Sequence, residues 1–101
     1  MQIRLVQDKT TTTLHLAGRF DFNTLSVFHE ACDDLPVQAD ILGVEINFLN
    51  VDYLDSSALS VLLMLREKLL AAGKEITLSG ARGNVRQVFD IANFNRLFRI
   101  V

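Results

Sequence analysis

The hydrophobic pattern changes period several times along the chain, and each change marks an element. Ile3 and Leu5 alternate with polar neighbours, and Gln7 continues the same side, which predicts a half-buried strand. Asp8-Lys9-Thr10 reads as a turn. From Thr11 to Gly18 the alternation resumes, with Leu14 and Leu16 on one side and Thr13 and His15 on the other. Two strands this close in sequence are expected to pair as a hairpin. Gly18-Arg19-Phe20-Asp21 ends the second. The spacing then turns helical: Leu25, Phe28, Cys32 and Leu35 share one face, with Asn23 or Thr24 placed to cap a helix running to about Asp34. Pro36 and the polar residues after it form a loop.

Ile41, Val44, Ile46 and Phe48 predict a third strand over Ile41 to Phe48, apolar enough to be buried on both faces. An acidic loop, Val51-Asp52-Tyr53-Leu54-Asp55, leads into a leucine-rich helix from about Ser56 to Ala72, stopped by Gly73. Glu75 to Ser79 is a fourth strand with Ile76 and Leu78 inward, and Gly80 to Gly83 a turn. Asn84 is placed to cap a short helix to about Ala92, with Val85, Val88 and Phe89 as its apolar stripe. Leu97 to Val101 ends the chain as an edge strand or a helical turn. This alternation predicts an α/β fold: one domain over residues 1–101, a mixed β-sheet with helices packed mainly on one face.

Within the leucine-rich helix, Leu59, Leu62, Leu63, Leu69 and Leu70 form the expected core side, with Ala58 and Leu65 at its edge. Ser57, Val61, Met64 and Lys68 fall on the opposite side. Val61 and Met64 are apolar residues on a face expected to meet water, which points to a docking surface beside Ser57. Arg66 lies on the core side, its stem expected to pack and its head to reach the edge.

The helix start carries the candidate chemistry. Asp and Ser side chains accept the unpaired first-turn N–H groups, so Asp55 or Ser56 is the expected cap. One cap suffices, which leaves a spare hydroxyl at Ser57. A phosphate there would meet free N–H groups and the positive end of the helix dipole. Strand-end loops leading into helices are also where open α/β sheets place their sites.

Composition narrows the function. The formal net charge is −2 and the basic residues are scattered, which argues against direct nucleic-acid binding. A single cysteine, Cys32, allows no internal disulfide and is expected as a buried thiol in a reducing compartment. The N-terminus has no signal-peptide pattern, and no apolar run is long enough to span a bilayer, so a soluble cytoplasmic protein is expected. His15 and His29 fall on other elements than Ser57, so no catalytic residues are expected. Two histidines and one cysteine lack metal-ligand spacing, and neither metal nor cofactor is expected. Gly80 and Gly83 are too close to form a phosphate loop. A response-regulator receiver would place an aspartate near Asp55, but it needs an acidic pair after the first strand and a late lysine, both missing here.

These residues resemble the STAS domains, and among them the stand-alone anti-sigma factor antagonists, over nearly the whole chain. Gly18-Arg19-Phe20-Asp21 is similar to the family's Gly-Glu-Leu-Asp at the end of its second strand. Ile46-Asn47-Phe48 followed by Val51-Asp52-Tyr53-Leu54-Asp55-Ser56-Ser57 is similar to its third strand and signature loop. Gly73 to Leu78 and Val85 to Asp90 match the later strand and helix. The Asp-Ser-Ser loop is the specific part.

The resemblance implies a bacterial partner switch. Ser57 would be the phosphorylation site, with Ser56 as cap or secondary acceptor and Asp21 and Asp55 flanking it. Ser57, Val61 and Met64 would contact the partner. That partner would be an anti-sigma factor that is itself an ATP-dependent serine protein kinase, bound when the serine is free and released by phosphorylation. A PP2C-type phosphatase would restore the serine. The free protein is expected to be a monomer. Many members carry glycine where this chain has Ala58 and Ser60. The Ala-bearing loop also resembles non-phosphorylated STAS subunits of lipid-transport systems, which leaves a structural subunit of a membrane-associated complex as the alternative.

Overall fold

The computed structural model describes all 101 residues. β1 (Gln2–Asp8) and β2 (Thr11–Phe20) are the expected hairpin, antiparallel from Gln2 opposite Ala17 to Asp8 opposite Thr11. β3 (Gly43–Leu54), β4 (Glu75–Ser79) and β5 (Arg99–Ile100) follow, each parallel to the strand before it. The strands lie side by side in chain order. Every parallel step needs a crossover, supplied by α1 (Leu25–Cys32), α2 (Ser56–Ala71) and α3 (Gly83–Ile91). The steps all run in one direction, and right-handed crossovers then place all three helices on the same face. The pleat agrees: Leu14, Leu16, Val44, Ile46, Ile76 and Leu78 are buried under the helices, while Thr13, His15, Glu45 and Asn47 stay half-exposed on the open face.

One core of 23 buried residues joins the two layers. Phenylalanines run through it in a line. Phe28 of α1 packs on Phe20 at 4.8 Å, and Phe20 on Phe48 at 6.5 Å between ring centroids. Phe48 meets Phe89 of α3 edge-on at 5.1 Å. Such pairs add about 0.5–1.5 kcal/mol beyond area burial, and the line includes Phe20, the last residue of β2.

The structure differs from the sequence expectations in four places. β3 extends past Phe48 to Leu54, because ten-residue β2 offers it pairing partners as far as Phe20 opposite Leu54. It is also buried on one face only, not on both as expected, because the helices cover one side of the sheet and leave Glu45 and Asn47 on the open side. Thr24 holds the N-cap position of α1 as expected but makes no side-chain cap bond there, the side-chain cap being Asp21 on the turn before it, and α3 begins at Gly83 with no side-chain cap. Lys74, on which the sequence pattern carried no expectation, is buried, its Nζ donating to the carbonyls of Leu35 at 2.6 Å and Gln38 at 2.5 Å. The fourth concerns Val61. It was expected on the water-facing docking side, but it is only 4% exposed. α1 lies along α2, and Phe28 and Cys32 share a narrow crevice with Val61 and Leu65. The buried side of α2 is therefore Ala58, Val61, Leu62, Leu65 and Leu69, with Leu59 and Leu63 half-buried and Leu70 exposed.

Candidate functional site

β2 and β3 end opposite each other, Phe20 beside Leu54. The next residue on each strand is an aspartate, so Asp21 and Asp55 leave the sheet together. Both have extended backbones (φ −142° and −117°), and each caps the turn that follows it. Asp21 Oδ1 accepts the Asn23 N–H at 3.0 Å, and the Asp21 N–H donates to the Thr24 hydroxyl at 3.0 Å. Asp55 Oδ1 accepts the Ala58 N–H at 3.1 Å, and its carbonyl accepts from Leu59 at 3.2 Å.

Two further bonds tie these turns together. The Asp55 N–H donates to the Phe20 carbonyl at 3.3 Å, and Asp55 Oδ2 accepts the Phe22 N–H at 3.2 Å. Both Asp55 oxygens are thus occupied. Asp21 is held in turn by Arg19, whose Nε lies 3.3 Å from Asp21 Oδ2. The Arg19 guanidinium sits 4.0 Å over the Tyr53 ring, a cation–π contact that holds the arginine at this end of the sheet.

The serines sit on this scaffold without bracing it. Ser56 is exposed and Ser57 half-buried. The Ser60 hydroxyl donates back to the Ser56 carbonyl at 3.1 Å. The Ser57 hydroxyl takes no part in the side-chain hydrogen bonds of the loop. Asp55 serves Ala58 and Leu59; the donors ahead of them, on Ser56 and Ser57, belong to the unpaired first turn of a helix. Ala58 is completely buried, so its methyl group is part of the core.

The water-facing stripe of α2 is Ser56, Ser60, Met64, with Met64 51% exposed. Met64 therefore lies where the sequence placed it; Val61 lies beneath α1, and Ser57, expected on the water-facing side, is half-buried at its edge because it shares the side of α2 that turns toward Val61. Phe22 is a surface residue the sequence pattern passed over: its ring is 72% exposed on the turn that Asp55 holds. Its signal was an aromatic residue between strand end and helix, outside the Leu25–Phe28–Cys32 stripe. Tyr53 is also partly exposed at this end.

The two histidines lie on elements other than that of Ser57. His15 lies in β2 on the open sheet face, between Arg4 and Asn47 in register. His29 lines the crevice between α1 and α2. No three His, Cys, Asp or Glu residues are grouped to hold a metal ion. No helix is long and apolar enough to cross a membrane.

Comparison with known proteins agrees with this geometry. A protein-family profile described as "Mlab, STAS domain" matches residues 3–101. A STAS-domain containing protein of Pseudomonas aeruginosa is 34% identical over 93 residues, covering 92% of this chain and 90% of that one. Among solved structures, an anti-sigma factor antagonist from Mycobacterium paratuberculosis superposes with a TM-score of 0.86 at 18% identity, over 98% of this chain and 83% of that one. The anti-sigma factor antagonist SpoIIAA in its unphosphorylated form gives a TM-score of 0.76 at 18% identity, over 99% of this chain and 87% of that one. At such identities the structural likeness is one of fold.

Proposed function

Because this chain belongs to the STAS family, we propose that it is an anti-sigma factor antagonist of the partner-switching kind, with Ser57 as the switch. The observation that carries this reading is an uncommitted Ser57 hydroxyl at a helix start already capped by Asp55. Phosphorylation there breaks no bond that the fold needs.

The unphosphorylated protein binds a serine-kinase anti-sigma factor through Ser57 and the flanking Phe22 and Met64 surface. The kinase transfers the γ-phosphoryl group of ATP to Ser57 Oγ, whose proton is lost, and ADP leaves. The product adds about 1.5 to 2 negative charges beside Asp55 and Asp21. Burying that charge against an apolar partner surface is unfavourable. A hundredfold loss of affinity requires only about 2.7 kcal/mol, within reach of one uncompensated interfacial charge. A PP2C-type phosphatase resets the serine. Val61 contributes through packing, by seating α2 against α1.

Intact-mass analysis after incubation with the cognate kinase and ATP tests this. One phosphate should be added, lost in Ser57→Ala and kept in Ser56→Ala. A protein that stays unmodified, or a phosphate that survives Ser57→Ala, overturns the assignment. A second reading is a constitutive, never phosphorylated STAS subunit of a lipid-transport or other membrane-associated complex; the fold shared with a sulfate transporter family protein of Wolinella succinogenes fits it. On that reading Ser57→Ala and wild type assemble equally and no phosphate is found.

A further inference from the structure

β1 is the outer strand on one side of the sheet. Natural sheets commonly blunt their edges with short strands, proline, lysine, bulges or inward charges. β1 has seven residues, no proline, no lysine and an unbroken register to β2. All of it but Ile3 is exposed, Leu5 and Val6 included.

Its outward backbone groups follow from β2. The Thr10 carbonyl accepts from Leu42 and Gly43, so even-numbered residues here turn their peptide groups toward β3. Strand peptide groups alternate in direction, so Thr11, Thr13, His15 and Ala17 turn theirs toward β1. Their register partners are Asp8, Val6, Arg4 and Gln2. The N–H and C=O groups of Ile3, Leu5 and Gln7 therefore point away from the sheet.

We propose that this edge pairs with β1 of a second copy of the chain, antiparallel about a two-fold axis at Leu5. Ile3 then meets Gln7 of the second copy, Leu5 meets Leu5, and every outward peptide group finds its complement. On the open face Arg4 stands opposite Val6 of the second copy, with two Arg4–Asp8 diagonals across the seam against one Arg4–Arg4 diagonal. Opposite charges across strands favour pairing, and the two-fold axis makes both Arg4–Asp8 contacts at once. Sliding the pairing by two residues one way opposes Arg4 to its own copy; sliding it the other way sets Arg4 opposite Asp8 but leaves Ile3, the apolar residue on the helix side, without a strand partner. On the helix side Leu5 lines a crevice with Ala31 and Leu35, and a second Leu5 closes its outer wall. The serine loop lies at the ends of β2 and β3, so each copy keeps its switch. On this proposal the free protein is a dimer of two switches, where the sequence led to the expectation of a monomer.

Light scattering after gel filtration tests this, over concentrations reaching roughly 1 mM, the weak end of specific association. The mass is expected to rise from 11.3 kDa toward twice that value. Leu5→Pro removes an N–H that β2 does not use, and should hold the protein monomeric with an unchanged circular dichroism spectrum. Arg4→Asp should weaken the dimer about tenfold or more, and adding Asp8→Arg should restore it. If Leu5→Pro unfolds, the charge exchange decides alone. A wild type that stays monomeric throughout, or a dimer indifferent to the charge variants, overturns the proposal.

Discussion

Asp55 holds Phe22 across the end of the sheet: its Oδ2 accepts the Phe22 N–H at 3.2 Å while Oδ1 accepts from Ala58 at 3.1 Å. One carboxylate thereby fixes two chain segments, the start of α2 and the turn after β2. The first presents Ser57, and the second presents an aromatic ring to solvent. Their relative position is set inside the free protein, before any partner arrives, and this preorganisation lowers the ordering cost of binding.

Asp55→Ala should destabilise the protein by about 2 kcal/mol, roughly half from the lost helix cap and half from the lost bond to Phe22. Asp55→Asn keeps one acceptor oxygen and should lose about half as much. Urea denaturation of the three proteins checks this; equal midpoints would contradict it.

Phe22, Met64 and Val61 should separate binding from folding. Phe22 and Met64 are exposed, so truncating either to alanine should change stability by less than about 0.5 kcal/mol. Partner affinity should nevertheless fall by about tenfold or more for Phe22→Ala, since exposed aromatics are favoured interface anchors. Val61→Ala should do the reverse, costing about 2 kcal/mol of stability through a cavity under α1. Paired denaturation and titration measurements distinguish the two patterns.

Cys32 should make the fold sensitive to alkali. Burial, with a smaller contribution from the Asp33 carboxylate, pushes its thiol up from 9.0 to about 12. Above pH 9 the unfolded chain releases this proton while the folded chain keeps it. Stability contributed by the neutral thiol is therefore complete below about pH 9 and falls between pH 9 and 12, by up to about 1.4 kcal/mol per pH unit. Cys32→Ala should flatten that part of the stability profile, measured by denaturation at fixed pH steps. An unchanged slope would show that other groups cause it.

The strands and the cap were legible in the sequence because their signals are local. Leu14 and Leu16 against Thr13 and His15 state which face of β2 is covered, and Asp55 before two serines states where α2 begins. The buried side of α2 was not legible to the same degree. That helix carries apolar residues nearly all round, so its own pattern cannot distinguish the sheet-facing side from the side covered by α1. Val61 is buried by Phe28 and Cys32, residues nearly thirty positions or more away in sequence, and only the helix pairing reveals it. Lys74 shows the same limit. Nothing in its position after Gly73 signals burial, and only the Leu35–Val37 turn, with Gln38 after it, brings carbonyls to its amine.

The measurement that bears most directly on the switch is a calorimetric titration of the kinase-type partner with two preparations of this protein, unphosphorylated and phosphorylated at Ser57, compared by amide hydrogen exchange. The expected result is a loss of affinity of about a hundredfold, with unchanged protection along α2 and the Phe22–Thr24 turn. Equal affinities, or a loss accompanied by unfolding of the first turn of α2, would contradict a switch that acts through local charge on a fixed scaffold.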